Sequence, residues 1–363
     1  MIKVNKVKNI SDIDKNFAEK PVIKDGMIYR NILSEPFKIY GLCKPHEGTY
    51  KRMPYDIAQK VNDGVMYNSR HTSGGRVRFK TDSQKITLKC YFPGVGVMSH
   101  MPITGIMGFD LFTDGEYYGT FIPTIGKEEK FCAYEDGSRG YEATLDLRSR
   151  KMRDILINFP LYNEVSEVYI ALEEDAKLIK GNEYKYKTPI VYYGSSITHG
   201  GCASRPGNAY PAMISRWLDT DFINLGFSGS CRGEDEMCDY ITGLDMSVFV
   251  YDYDHNAPTV DFLKETHEKF FLRFRESKPD TPVIMISAAC KAFEESIPER
   301  REVIYTTYKN ALNRGDKNVY FIDGQTMYLE PSFDLCTVDR CHPNDLGFYF
   351  MGKKINEVIE KLL

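Results

Sequence analysis

At 363 residues the chain is longer than one hydrophobic core usually serves, which sets two domains as the expectation. With 42% hydrophobic and 27% charged residues it has the composition of an ordinary globular protein, neither disordered nor fibrous. A formal net charge of -4 leaves no basic footprint for nucleic acid, so nucleic acid is excluded as the expected partner.

The opening stretch, Met1 to Asn9, intersperses lysines with single apolar residues and lacks the continuous apolar core of a signal peptide. No apolar run approaches the roughly 20 residues that span a bilayer, so no membrane partner is expected. Nine cysteines, an odd number, fit free thiols in a reducing compartment better than a disulfide framework. The expected location is the cytoplasm.

From Phe37 to Leu172 the chain reads as short alternating segments separated by turn residues. Gly75 to Thr81 alternates cleanly, and Ile86 to Pro93 follows with the same period. Gly108 to Phe112 leads through the Asp114-Gly115 turn into Tyr117 to Phe121, a hairpin. Tyr141 to Leu147, Asp154 to Pro160 and Glu167 to Leu172 continue the spacing, which predicts a β-sandwich of jelly-roll type over residues 1–179. Tyr55 to Val61 is the one helical candidate in this half. Residues 180–188, with Gly181, Asn182 and several lysines, are polar enough to be a linker.

Residues 189–363 read differently. Near-continuous apolar strands end at Gly194, Phe227, Asp252, Ala288 and Asp323, and they alternate with amphipathic stretches at 209–218, 260–276, 297–313 and 346–363. This pattern predicts a parallel sheet covered on both faces, a three-layer α/β/α domain. The carboxyl ends of parallel strands share one crevice, and polar residues collect at those ends: Ser196, then Ser228-Gly229-Ser230, then Asp254-His255-Asn256, and Asp339 to Asp345 before the last helix.

That inventory fills the posts of acyl transfer. Ser196 would attack, His342 would take its proton, and Asp339 would hold the imidazole in the right tautomer. The Ser196 and Gly229 amides with the Asn256 side-chain amide would form the oxyanion hole. Glycine at 229 would avoid crowding the approach of the substrate oxygen to the backbone. The bland alternatives are that Ser196 caps the following helix, that Asp339 bonds loop amides, and that Asn256 caps the helix beginning near Pro258. His199 and His255 are read as residues lining the crevice. Cys336, Cys341 and His342 lack a second ligand pair at suitable spacing, so no metal and no cofactor is expected.

These blocks resemble the SGNH, or GDSL-like, hydrolase superfamily: Gly194-Ser195-Ser196-Ile197-Thr198, then Asn224 to Gly229, then Asn256, then Asp339-x-x-His342-Pro343, in the family's order. Gly108-Phe109-Asp110-Leu111-Phe112 is similar to the GxDLY motif of a subgroup with an amino-terminal β-sandwich, with Phe for the final Tyr. Serine stands at 195 where the superfamily often has aspartate, and Asp252 to Ala257 departs from the usual Gly-x-Asn-Asp. The resemblance implies a flavodoxin-like hydrolase domain after the sandwich. It also implies a serine esterase resembling carbohydrate esterases, whose partner would be a small-molecule or oligosaccharide acyl ester, with acetyl foremost. A sugar-binding protein without chemistry, or a lipase or thioesterase, are the competing readings. Asp110 would either reach substrate from the sandwich or tie its own hairpin.

Overall fold

The computed structural model describes residues 22–46, 50–123, 132–289, 295–328 and 333–363. The Met1 to Asn9 stretch read above lies outside them. In the first half the strands are β1 (Val22–Lys24), β2 (Met27–Asn31), β3 (Lys38–Tyr40), β4 (Arg76–Thr81), β5 (Lys85–Tyr91), β6 (Phe109–Thr113), β7 (Glu116–Phe121), β8 (Gly140–Asp146), β9 (Arg153–Asn158), β10 (Glu167–Glu173) and β11 (Leu178–Lys180). They form two antiparallel sheets, ordered β1-β2-β10-β5-β8 and β11-β4-β9-β6-β7, with β3 beside β4. From β4 to β11 consecutive strands alternate between the two sheets apart from the β6–β7 hairpin, whereas β1–β2 and β3–β4 are pairs within one sheet. Asp114 and Gly115 turn that hairpin with φ of 51° and 90°, as the Asp-Gly pair required.

Alternation puts Val77 and Phe79 of β4 into the sandwich core with Ile86 and Leu88 of β5. The opposite face of β4 is not solvated. Arg76 and Arg78 are buried, and Arg76 donates to the Phe222 carbonyl at 3.1 Å and pairs with Asp221, both in the second half. The sandwich thus meets its neighbour through arginines of an alternating strand.

The second half holds β12 (Tyr186–Gly194), β13 (Thr220–Gly226), β14 (Val248–Asp252), β15 (Val283–Ile286) and β16 (Val319–Ile322), all parallel and ordered β13-β12-β14-β15-β16. This is the flavodoxin-like order, in which the first strand lies between the second and third and the crevice opens at that switch point. The helices are α1 (Tyr55–Val61), α2 (Asp63–Asn68), α3 (Ile103–Ile106), α4 (Ser196–His199), α5 (Tyr210–Leu218), α6 (Asp235–Thr242), α7 (Val260–Ser277), α8 (Ile297–Asn313), α9 (Phe333–Cys336) and α10 (Asp345–Ile359). Ile190 and Tyr192 of β12 share a core with α5 and α10, whereas Val191 and Tyr193 share one with α6, α7 and α8. Both faces are buried, which is why these strands read as continuous apolar runs.

Residues 181–185 connect β11, which ends at Lys180, to β12, which begins at Tyr186, and among them Tyr184 is buried against Arg76. Two other elements differ from the sequence reading. Met53, Ala58 and Val65 of the α1–α2 segment pack into the core of the α/β half. The final helix stops at Ile359, short of the expected 363. No described helix is long and apolar enough to cross a membrane.

Candidate active site

The apolar run of β12 ends at Gly194, where a β-carbon would fall 2.1 Å from Thr198 Oγ1 and 2.5 Å from the Asp252 carbonyl oxygen. Only glycine lets the chain turn this tightly into α4. The capping role belongs to Ser195, whose hydroxyl accepts the Ile197 amide at 3.2 Å. The Ser196 hydroxyl is therefore left for other work, and it lies 2.8 Å from His342 Nε2.

His342 comes from a loop closed by the Val338 amide donating to the His342 carbonyl at 2.9 Å and by a bridge between Thr337 and Pro343. Asn344 then caps α10, accepting the Leu346 and Gly347 amides. Asp339 Oδ2 lies 2.7 Å from His342 Nδ1, while its Oδ1 accepts the His342 and Cys341 amides at 2.7 and 3.0 Å. The carboxylate bonds both ring and loop amides, so the two roles considered for it coexist. Partial burial works against its charge, but these hydrogen bonds outweigh it and hold the carboxyl below its ordinary range. With Nδ1–H given to Asp339, Nε2 faces Ser196 as the acceptor.

Gly229 has φ 68°, and a β-carbon there would meet nothing within 4 Å. This backbone conformation is one that glycine adopts without strain. Asn256 closes a single 3₁₀ turn, Asp254–Asn256, and its Oδ1 accepts the Cys231 amide at 3.3 Å, which fixes the side chain beside the loop carrying Gly229. It does not cap α7; Thr259 does, accepting the Phe262 amide at 3.1 Å. Ser196, Gly229 and Asn256 thus follow β12, β13 and β14, three adjacent strands.

Residues 187–360 match the GDSL-like Lipase/Acylhydrolase family, and residues 27–178 match the GxDLY family, described as the N-terminus of Esterase_SGNH_hydro-type proteins. A crystal structure of a GDSL-like lipase from Bacteroides ovatus shares 30% identity, covers 93% of this chain and 98% of its own, and superposes with a TM-score of 0.79. The chain belongs to the GDSL-like acylhydrolases. The salicylyl-acyltransferase SsfX3 of a tetracycline biosynthetic pathway shares its fold at 18% identity, with a TM-score of 0.75 over 94% of this chain and 98% of that one. So does a family two carbohydrate esterase from Clostridium thermocellum, in complex with cellohexaose, at 14% identity, with a TM-score of 0.54 over 81% and 98%. No curated protein matches.

In this GDSL-like chain Asp110 of the GxDLY stretch neither reaches toward Ser196 nor ties its own hairpin. It is fully buried, bonded to Asn158 Nδ2 at 2.9 Å, the Gly207 amide at 2.8 Å and Arg205 at 2.7 Å. His199 does not line the crevice: it is wholly buried, stacked 3.9 Å from Tyr162, and its Nε2 meets the Leu161 carbonyl at 2.7 Å. Burial, with Arg52 nearby, drives its imidazole well below the ordinary range. His255 is likewise buried. Burial also pushes the Cys202 thiol up to about 12, so it is no rival nucleophile.

Three neighbours of the site escaped the sequence. Tyr162 donates to the Ser196 carbonyl at 3.1 Å. Arg52, buried, donates to the carbonyls of Asn68, His71, Asn224 and Gly226 and so clamps α2 to the end of β13. His100 lies with its ring centroid 5.5 Å from that of His342. All three precede the α/β half in the chain and reach it only through tertiary packing.

Proposed function

We propose that this acylhydrolase is a serine esterase that removes short acyl groups, acetyl foremost, from carbohydrate hydroxyls through an acyl-enzyme on Ser196. The observation that carries the reading is the hydrogen-bonded chain from Ser196 through His342 to Asp339, at 2.8 and 2.7 Å. In this mechanism His342 Nε2 takes the hydroxyl proton as Oγ attacks the acyl carbonyl, and Asp339 stabilises the resulting imidazolium. The Ser196 and Gly229 amides and Asn256 Nδ2 receive the oxyanion. The imidazolium then protonates the departing sugar oxygen, and water activated by the same nitrogen releases the acid.

Arg52 supports this reading electrostatically. Its buried guanidinium bonds carbonyl groups and stands over the Phe227 ring at 4.8 Å, adding fixed positive charge beneath the loop that carries Gly229. A cavity of about 400 Å³ lined by Tyr67, Arg70, His71, Tyr162, Asn163 and Glu164 is tied to the site through Tyr162, which bonds the Ser196 carbonyl, and its aromatic and polar groups are of the kind that suit a sugar. The fold shared with an esterase seen with cellohexaose points the same way. The nine cysteines support a reducing compartment such as the cytoplasm.

The test is acetate release from acetylated xylo-oligosaccharides beside hydrolysis of acetyl, butyryl and octanoyl p-nitrophenyl esters. The reading expects acetate release, a fall in kcat/KM with acyl length, and loss of both in Ser196→Ala. Preference for the octanoyl ester would overturn the short-acyl reading, and undiminished turnover by the variant would overturn the nucleophile.

A further inference from the structure

We infer that His100, Cys202 and His342 form a site for a thiophilic divalent cation of the zinc or cobalt kind, and that its occupation switches the enzyme off. One donor atom from each of the three lies within 4.8 Å of the others. They come from three separate places: the loop before α3, the turn after α4, and the loop before α10. Two imidazoles and a thiol are a donor set that selects zinc and its analogues over calcium or magnesium.

The surroundings agree with that assignment. His342 gives Nδ1–H to Asp339 at 2.7 Å, so Nε2 is the nitrogen left for a cation, and a carboxylate behind a ligating histidine is the usual support of such sites. Cys202 is already beside His100, its thiol donating to the His100 carbonyl at 3.4 Å. Tetrahedral bonds of about 2.0–2.3 Å put donor atoms about 3.3–3.7 Å apart, so the cluster must contract by about 1 Å. His100 can supply that movement, being half-buried on a segment without helix or strand. On binding, the Cys202 thiol gives its proton to water and becomes a thiolate ligand. Solvent keeps the fourth position.

The consequence follows from which nitrogen is taken. His342 Nε2 is the atom 2.8 Å from the Ser196 hydroxyl, and a cation on its lone pair leaves that hydroxyl with no base. The cation site stands on its own geometry, whereas the loss of activity rests on the esterase reading.

The full chain is titrated with cobalt(II) chloride while thiolate-to-cobalt charge-transfer absorption and ester turnover are followed together. Expected are one equivalent of cobalt bound with the thiolate band, a parallel loss of turnover, and recovery on adding a chelator. Cys202→Ser should remove the band, and Cys202→Ser and His100→Gln should each weaken inhibition at least tenfold while keeping ester turnover, which also reports that they fold. Cys341→Ser should titrate like the parent. Absence of the band in the parent chain, or equal inhibition of the parent and both ligand variants, would overturn the site. If no ester is turned over by any form, the optical titration alone decides it.

Discussion

Asp110 and Gly207 join the sandwich to the α/β half through a hydrogen bond that leaves no room for a side chain at position 207. The Gly207 amide donates to Asp110 Oδ2 at 2.8 Å, and a β-carbon on Gly207 would fall 2.6 Å from that same oxygen. Arg205 completes the contact at 2.7 Å with Asp110 wholly buried. One residue before Arg205, the Ser204 amide donates to Asp345 at the start of α10, so the segment that follows Ser196 is fastened both to the sandwich and to the helix behind His342.

Removing the carboxylate strands the Arg205 charge and the Gly207 amide. Asp110→Ala is expected to lower unfolding stability by about 3–5 kcal/mol, and Asp110→Asn by less, because the amide oxygen still accepts. Urea unfolding of the three forms measures it; a change below about 0.5 kcal/mol for the alanine variant would mean that the contact is not formed.

Asp339→Asn keeps the shape of the loop and changes which imidazole nitrogen carries the proton. If Asp339 sets the tautomer, kcat should fall by about 10²–10⁴-fold with KM little changed. A fall below about fivefold in steady-state kinetics would confine Asp339 to bonding the Cys341 and His342 amides.

The proposed oxyanion donors separate by kind. Asn256→Ala removes a side-chain donor and should lower kcat by about 10²–10³-fold. Gly229→Ala keeps its amide and has space for the methyl group, but its φ of 68° is unfavourable for alanine, so it should lose about 1 kcal/mol of stability with a smaller loss of kcat. The same kinetic cost for both would speak against this division.

Asp252 ends β14 behind α4, with the Thr198 and Tyr210 hydroxyls donating to its Oδ2 at 3.2 and 3.4 Å. Burial, aided by the neighbouring Asp254, pushes its carboxyl up to about 7. The folded state therefore favours the neutral acid. Its contribution to stability is full below the unfolded value near 4, falls as pH rises, and levels off above about 7. Asp252→Asn should lack this decline, gaining on the parent by at most about 1.4 kcal/mol per pH unit across that window. Thermal unfolding at pH 5 and pH 8 measures it, and parallel pH profiles would contradict the buried neutral acid.

The sequence carried most of the architecture because both halves obey simple periods. Alternation marks the strands of a sandwich, and the double-faced burial of Ile190 to Tyr193 makes a parallel strand a continuous apolar run. Ser196, Asp339 and His342 were legible because short motifs hold them at strand ends and before α10. Arg52, His100 and Tyr162 were not, since nothing local marks a residue that meets the site only through a partner in the other half of the chain. Arg76 went unmarked for a related reason: nothing in an alternating strand singles out a polar residue whose burial comes from the second half. Asp110 was singled out by its motif, but its partners at 205 and 207 lie in the other half.

The most direct test of the account is covalent labelling by a fluorophosphonate ester, read by mass spectrometry of the intact chain and its peptides. The account expects one phosphonyl group per chain, located on Ser196, formed far more slowly in His342→Ala and not at all in Ser196→Ala. Labelling at another residue, or equal labelling of Ser196→Ala, would contradict Ser196 as the nucleophile.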